Sequence, residues 1–586
     1  MESLLVRICI EAATESAAAV EKWRRQKRTL ERMPSHLSEA LLRHLLQRRL
    51  LFPSLLEVFK YSIEEIDLRG ESCVDAEWMA YLGAFQYLRS MILADCHRIN
   101  NSALWNITGM TNLKEVDLSR CSKITDAGIG HLLSVPALEK LCISETGVTA
   151  DGVAALASLT NLLILDLGGL PVTDSAMSSL QALTKLQHLD LWGSEVSNEG
   201  AVLLKMFPSL SFLNLAWTSV TNLPNLSSLA YLNMSNCTIR SLFEGVGHKA
   251  RMKEVMLSGA AITDVSEAFR YVETSRLHFL DLSYSSHQSF SFLRSMNALT
   301  DLNLSDSALT DESVEHIACI GTNIRYLNLS NTKVSSDGIG ALFGHVPNLK
   351  TLLLSGTPID DTAVSYISMM PSLKVINLSR TNVKGLIHQE GDSPHDVSSF
   401  SALKNLSHLE KLELEEVNIT DAALFPLMNL DKLIYLSLRS VSLTDASLYH
   451  ISSAPKLIHL GVRDAVLTDG GLDSFIPPPA MEILDIRGCW LLTKDVILRF
   501  CHNHPQVDVR HELAEALDKR NFHYSSPSRG TMRTSQQKHK QGKLSVSPHR
   551  SDDIFLDQRL RYTREELLAL QFSSAAFSTS THYQGN

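Results

Sequence analysis

The residues of this chain that could carry chemistry fall into a few groups. Cys501, His502 and His504 stand close together, but C-H-N-H is too tight to supply four tetrahedral metal ligands and reads as the end of a helix. There is no G-x-x-x-x-G-K-[ST] phosphate loop, no G-x-G-x-x-G after a strand, no H-E-x-x-H and no paired C-x-x-C. No enzyme activity, cofactor, metal or small-molecule substrate is therefore expected. What remains is the chemistry of recognition. Trp192, Phe212, Trp217 and Tyr231 fall within 40 residues of one another in a chain with only 6% aromatics, and exposed aromatics at that density anchor partners. The competing role is to fill a locally short coil. Arg439, Arg463 and Arg487 recur every 24 residues. Stacked guanidinium groups repel unless an anion sits among them, so they would grip an acidic or phosphorylated peptide, unless Glu413 and Glu415 pair with Arg439 instead. A column running Asp117, Asp166, Asp190, Asn214, Asn233, Asp281, Asn303, Asn328 and Asn377 either faces a partner or satisfies its neighbours.

These residues share a spacing because the elements that hold them repeat. The phrase L-x-x-L-x-L, with conservative replacements, begins eighteen times from Ile63 to Met481, mostly 24 or 25 residues apart. The alternation predicts a short strand with its leucines turned inward. Many copies continue into a Thr-Asp pair, as at Thr125-Asp126 and Thr420-Asp421, which offers an oxygen to the free N–H groups of a helix start. The helix returns the chain to the next strand. One unit cannot bury its core alone, but a stack can. At ~4.8 Å per strand, eighteen units give an inner sheet roughly 80 Å long. Two copies depart furthest from the period. The one at Leu210 has only 19 residues. The one at Leu373 has 36, and its polar insertion at 385–400 is expected to bulge as a loop.

The composition agrees. With 586 residues, 44% hydrophobic and 20% charged, the chain is neither a disordered polyanion nor collagen-like, and it can bury a large core. The net charge of −10 is uneven. Residues 519–550 hold eight Lys or Arg and no acid, so the body that precedes them is strongly acidic. Nine cysteines, sparse and odd in number, argue against a disulfide framework and for a reducing, cytoplasmic and/or nuclear setting. Glu2, Arg7 and Glu11 interrupt the N-terminal apolar residues, so no secretory signal is expected. No 18-residue uncharged apolar run predicts a membrane span.

On these repeats the chain resembles the leucine-rich-repeat family over residues 63–506. Cys96, Cys121, Cys237 and Cys489 stand where many members carry Asn, which looks like the cysteine-containing (RNI-like) subclass common among intracellular substrate receptors. The resemblance implies an α/β leucine-rich-repeat solenoid, with a curved parallel sheet inside and helices outside. The cysteines are read as buried packing thiols.

Residues 1–20 and 36–60 read as helices of a cap spanning 1–62 that closes the open end of the stack. Within the cap, Leu5-x-x-x-Cys9-x-x-x-Ala13 matches the pattern recognised by elongin-C adaptors, and Met33-Pro34-x-x-Leu37-x-x-x-Leu41 matches an apolar-Pro pattern that selects a cullin. In that order, ahead of repeats, they resemble the Zyg/Zer type of cullin-RING substrate receptor. That resemblance implies a protein-protein interaction module acting in ubiquitin ligation. Leu4 replaces the preferred small residue before Leu5, and the family's helical degron-reading domain is missing, so its specificity is not carried over. An F-box binding a Skp-like adaptor is the rival reading of the segment beginning at Met33, which lacks the usual closing Trp.

After a C-terminal cap at 507–518, the basic, Ser-rich linker 519–560 is too polar to offset its ordering entropy and is read as disordered, as is 573–586. Between them, at 561–572, Tyr562-x-x-x-x-Leu567-Leu568 matches the motif of proteins that bind the cap-binding initiation factor 4E as a short helix. The alternative function is therefore a non-degradative scaffold or translational regulator reaching that factor through its tail.

Overall fold

The computed structural model describes residues 4–25, 33–244, 249–287, 289–388 and 396–513. The segments 519–560, 561–572 and 573–586, with Tyr562, Leu567 and Leu568, lie outside the described residues. The chain is a leucine-rich-repeat solenoid formed by two compact units, Met1–Leu309 with Cys319–Leu327, and Thr310–Ala318 with the residues from Asn328 on.

Each of the eighteen predicted units supplies a strand, and its middle apolar residue is buried. In the first unit eleven parallel strands run in chain order from Glu65–Asp67 to Asp301–Asn303. The register holds the repeat leucines level, so that Leu165, Leu189, Leu213 and Leu232 stack in one row, each at most 2% exposed. The second unit repeats the pattern in seven strands, from Thr351–Leu353 to Asp508–Arg510. The last of these belongs to no L-x-x-L-x-L copy; it lies in the stretch expected to be cap and extends the sheet by one strand.

Helices return the chain between most strands, as at Asp126–Leu132, Asp361–Ile367 and Asp445–Ile451. The 19-residue copy is too short for one. An extended piece, Leu223–Pro224, replaces it and pairs with Phe243–Glu244 of the next copy, in which Thr238–Ile239 pairs with Ala261–Ile262 of the copy after that. The insertion expected as a loop contains an antiparallel ladder, Leu386–His388 with Asp396–Ser398.

The Thr-Asp pair does more than start a helix. Thr173, Thr444 and Thr468 do accept a backbone N–H as N-caps, but Thr125 and Thr420 do not. The commoner feature is an aspartate that reaches forward one repeat, although Asp264 instead caps its own helix. Asp126 accepts both the N–H and the hydroxyl of Thr149, at 2.8 and 2.6 Å. Asp174 holds Ser197 the same way, Asp311 holds Ser335, Asp421 holds Thr444, Asp445 holds Thr468 and Asp469 holds Thr493. Bonds to an ionised acceptor are the stronger kind, so successive coils are clamped along the helix side as well as along the sheet.

The four cysteines at the repeat position often held by Asn are buried and hydrogen-bonded. Cys96, Cys121, Cys237 and Cys489 donate to the carbonyls of Leu68, Leu93, Leu215 and Val462 in the preceding repeat, at 3.1 to 3.2 Å. Burial pushes the Cys96 thiol up to about 12 and Cys121 to about 11, and it raises Cys237 and Cys489 too. A raised folded-state pKa means the unfolded chain loses the proton first. Stability is therefore complete below about pH 9 and declines as pH climbs toward the folded values. Urea unfolding at pH 8 and pH 10.5 should show this loss, and Cys96→Ser with Cys121→Ser should flatten it. An equal pH dependence in the variant would refute this assignment.

The N-terminal cap is helical in shorter pieces than expected. The first helix, α1 (Leu4–Ala13), stops where Thr14 turns its hydroxyl back onto the Ile10 carbonyl, and Ser16 caps α2 (Ala17–Arg24). The third, α3 (Ser35–Gln47), ends at Arg49, whose backbone is left-handed at φ 54°. Pro53 then opens a 3-10 turn, Pro53–Phe59.

Candidate functional site

The acidic and amide column is a structural device. Asp117, Asp166, Asp190, Asn214, Asn233, Asp281, Asn303, Asn328 and Asn377 each accept the backbone N–H two residues on, at 2.8 to 3.1 Å. The bond closes the turn that ends each strand. Spare atoms link neighbours: Asn214 donates to Asp190 and Asn377 to Glu413. Burial raises the pKa of Asp190, although the Trp192 N–H and the Asn214 amide oppose this.

The aromatic residues separate into two rows. His188, Phe212 and Tyr231 occupy the first position of three adjacent strands. The His188 and Phe212 rings stack at 3.8 Å between centroids and 4° between planes, and Tyr231 lies tilted 6.4 Å from Phe212. Burial lowers the pKa of His188, which favours the neutral ring. His188 was not singled out in the sequence; the signal was its place one repeat before Phe212 in the same column. Trp192 and Trp217 lie beyond the other end of their strands. The Trp192 ring covers the backbone of Gly168, where a Cβ would overlap the indole.

Trp217 is 66% exposed. Its backbone is left-handed at φ 61°, at the position held by Gly169 and Gly193 in the two preceding repeats. A side chain there costs roughly 1–2 kcal/mol against glycine's own loss of ~0.5–1 kcal/mol of unfolded-state freedom. Trp217→Gly should therefore leave thermal stability unchanged or slightly raised while removing the exposed indole. A lowered melting temperature would show that the ring contributes to packing.

Arg439, Arg463 and Arg487 align as expected, and Arg439 pairs in register with Arg463. They do not stand as free cations. Arg439 bonds Asp464 at 2.5 Å and Glu416 at 2.6 Å. Arg463 pairs with Glu415, and Arg487 meets Asp485 through two nitrogens at 2.9 and 2.6 Å. Burial alone would raise Asp485, but Arg487 and Arg463 hold it below the usual carboxylate range. Glu413 pairs with Lys411 rather than Arg439. The cluster is close to charge-balanced, which reduces its pull on an anion.

The N-terminal residues divide by exposure. On α1, Leu5 is 71% and Ile8 52% exposed, and Cys9 is exposed, while Ile10 at 7% and Thr14 at 0% face inward. Ala13 is half-buried, and its carbonyl accepts the Trp23 indole N–H at 2.9 Å. Met33 and Leu37 are half-buried and Pro34 is exposed, but Leu41 is only 5% exposed and packs inside the cap. Cys501, His502 and His504 sit at the end of the helix Lys494–Asn503. Among the described residues no group of His, Cys, Asp and Glu could hold a metal, and no helix is long and apolar enough to cross a membrane.

Strands and return helices recurring at this spacing make the leucine-rich-repeat fold. The family model described as a leucine-rich repeat matches residues 109–132. Similar solved structures include an internalin from Listeria monocytogenes, with 19% identity, TM-score 0.37, and coverage of 66% of this chain and 88% of that one. A leucine-rich-repeat protein of Leptospira interrogans has 14% identity and TM-score 0.36, covering 78% of this chain and 98% of that one. The TLR13–ssRNA13 complex has 16% identity and TM-score 0.44, covering 74% of this chain and 77% of that one. No curated protein matches the chain. Leucine-rich-repeat proteins typically mediate protein–protein interaction.

Proposed function

We propose that the chain is the substrate receptor of a cullin-RING ubiquitin ligase. The observation that carries this reading is the outward face of α1, where Leu5, Ile8 and Cys9 are exposed on a helix anchored by its other side. An unpartnered apolar helix face is the form in which a helix-in-groove adaptor is met. Leu5, Cys9 and Ala13 would enter an elongin-C-type adaptor, and Met33, Pro34 and Leu37 would select the cullin. With Leu41 packed inside, the cullin-selecting contact rests on those three residues. The row His188–Phe212–Tyr231 and the exposed Trp217 offer the substrate surface, and the Arg439–Arg463–Arg487 cluster is a weaker candidate because it is already paired. Such a receptor would work in the cytoplasm or nucleus. Affinity purification of the tagged chain should recover an adaptor and a cullin, and Leu5→Ala with Cys9→Ala should lose both. Recovery of neither by the wild-type chain would reject the reading.

The tail motif at Tyr562, Leu567 and Leu568 supports a second role as a translational regulator. Cap-analogue beads loaded with initiation factor 4E should retain the chain, and Tyr562→Ala with Leu567→Ala should abolish retention. Equal retention of both forms would reject this role.

A further inference from the structure

Among the described residues, the first strand of the sheet, Glu65–Asp67, pairs on one side, with Ser90–Ile92. Its ladder uses alternate residues: Ser90 donates to the Glu64 carbonyl, and Leu68 and Gly70 donate to Ile92 and Ala94. The backbone N–H and C=O groups of Glu65 and Asp67 therefore point the other way. A groove of about 1050 Å³ lies against this strand, lined by Glu39, Leu42 and Leu46 of α3 and by Glu65, Ile66 and Asp67 of the strand itself. Among the described residues no strand covers this edge, and an uncovered strand edge is a template for one more strand.

The charge near the strand indicates what kind of strand. Glu39 and Glu65 have no ion-pair partner within 4 Å among the described residues, whereas Glu64 is held by Arg89 at 3.5 Å. Burial, and then the charges of Glu65 and Glu64, raise the pKa of Glu39, outweighing the opposing influence of Arg43 and His36. A cation between Glu39 and Glu65 would relieve that repulsion.

We propose that this groove binds an extended segment of a partner protein by strand addition, with a Lys or Arg side chain seated between Glu39 and Glu65. Main-chain bonds to Glu65 and Asp67 supply affinity and the carboxylates supply selectivity. The site is separate from the exposed face of α1, so it stands whether or not that face holds an adaptor. Arg43, Arg49 and Arg69 line the same groove and would face the acidic or carbonyl groups of the incoming chain.

Random dodecapeptides displayed on phage and selected on the full chain provide the test. The selected pool should carry Lys or Arg at one fixed position. Synthetic members should lose roughly tenfold or more in affinity against Glu39→Gln with Glu65→Gln, and again when alternate amides are N-methylated. Bound peptide should slow maleimide labelling of Cys73, an exposed thiol on the groove wall, while leaving exposed Cys319 unchanged. A pool without a fixed basic position, no enrichment at all, unaltered binding to the double variant, or an unprotected Cys73 would overturn the proposal. Displacement of the selected peptides by a synthetic 519–550 peptide showing the same dependence would assign the groove to the chain's own tail and overturn the partner assignment.

Discussion

Asp445→Ala should destabilise the second unit by about 3 kcal/mol, because it removes two charge-assisted bonds and leaves the Thr468 N–H and hydroxyl without their acceptor. Those bonds are 2.7 and 2.6 Å long. Gly471 lies against the same carboxylate, and a Cβ added there would overlap it. Gly471→Ala should therefore cost about 2 kcal/mol by forcing the clamp open. The two effects should not add. Once Asp445 is alanine, the carboxylate is gone and only the residue's Cβ, 2.8 Å from the new methyl group, is left to give way, so Gly471→Ala in that background should cost markedly less. A double-mutant cycle measured by urea denaturation reads this coupling. Additive losses would show that the glycine and the clamp are independent. Gly152 against Asp126, Gly200 against Asp174 and Gly338 against Asp311 repeat the arrangement, so each pair should give a cycle of the same sign.

Leu5→Asp with Cys9→Asp should abolish adaptor binding while leaving the fold intact. Leu5 is 71% exposed and Cys9 is exposed, so the cap loses no packing. A helix-in-groove contact, by contrast, must desolvate both positions, and burying one unpaired carboxylate costs several kcal/mol. Affinity should fall by about a hundredfold or more with an unchanged melting temperature. Ile10→Asp provides the contrast: at 7% exposure it should lower stability first. Calorimetry beside thermal melts separates the two outcomes.

The repeat, its leucine core and the burial of Cys96, Cys121, Cys237 and Cys489 were legible because each rests on a period that one sequence displays. The Asp-to-Thr clamp was not, because a helix start reads as a local event while the partner of Asp126 stands 23 residues on. The arginine column was half-legible. Its spacing was plain, but its counter-ions Glu416 and Asp464 come from the left-handed turn position after the strand, which no alternation marks. The acidic and amide column read equally as a partner surface or as a self-satisfying ladder, because a strand pattern does not reveal that each side chain turns back onto its own backbone. Asp508–Arg510 was missed because it pairs as the last described strand without repeating the leucine phrase, and a terminal repeat unit need not carry the consensus. Leu41 fitted a linear motif, yet on the cap it faces inward, since burial is decided by neighbours the motif does not contain.

The receptor assignment is tested most directly by size-exclusion chromatography of the purified full chain mixed with an elongin-C-type adaptor and its cullin. The account predicts one co-eluting ternary complex that dissociates when Leu5→Asp and Cys9→Asp are introduced. Separate elution of the wild-type chain, or co-elution unchanged by those substitutions, would contradict it.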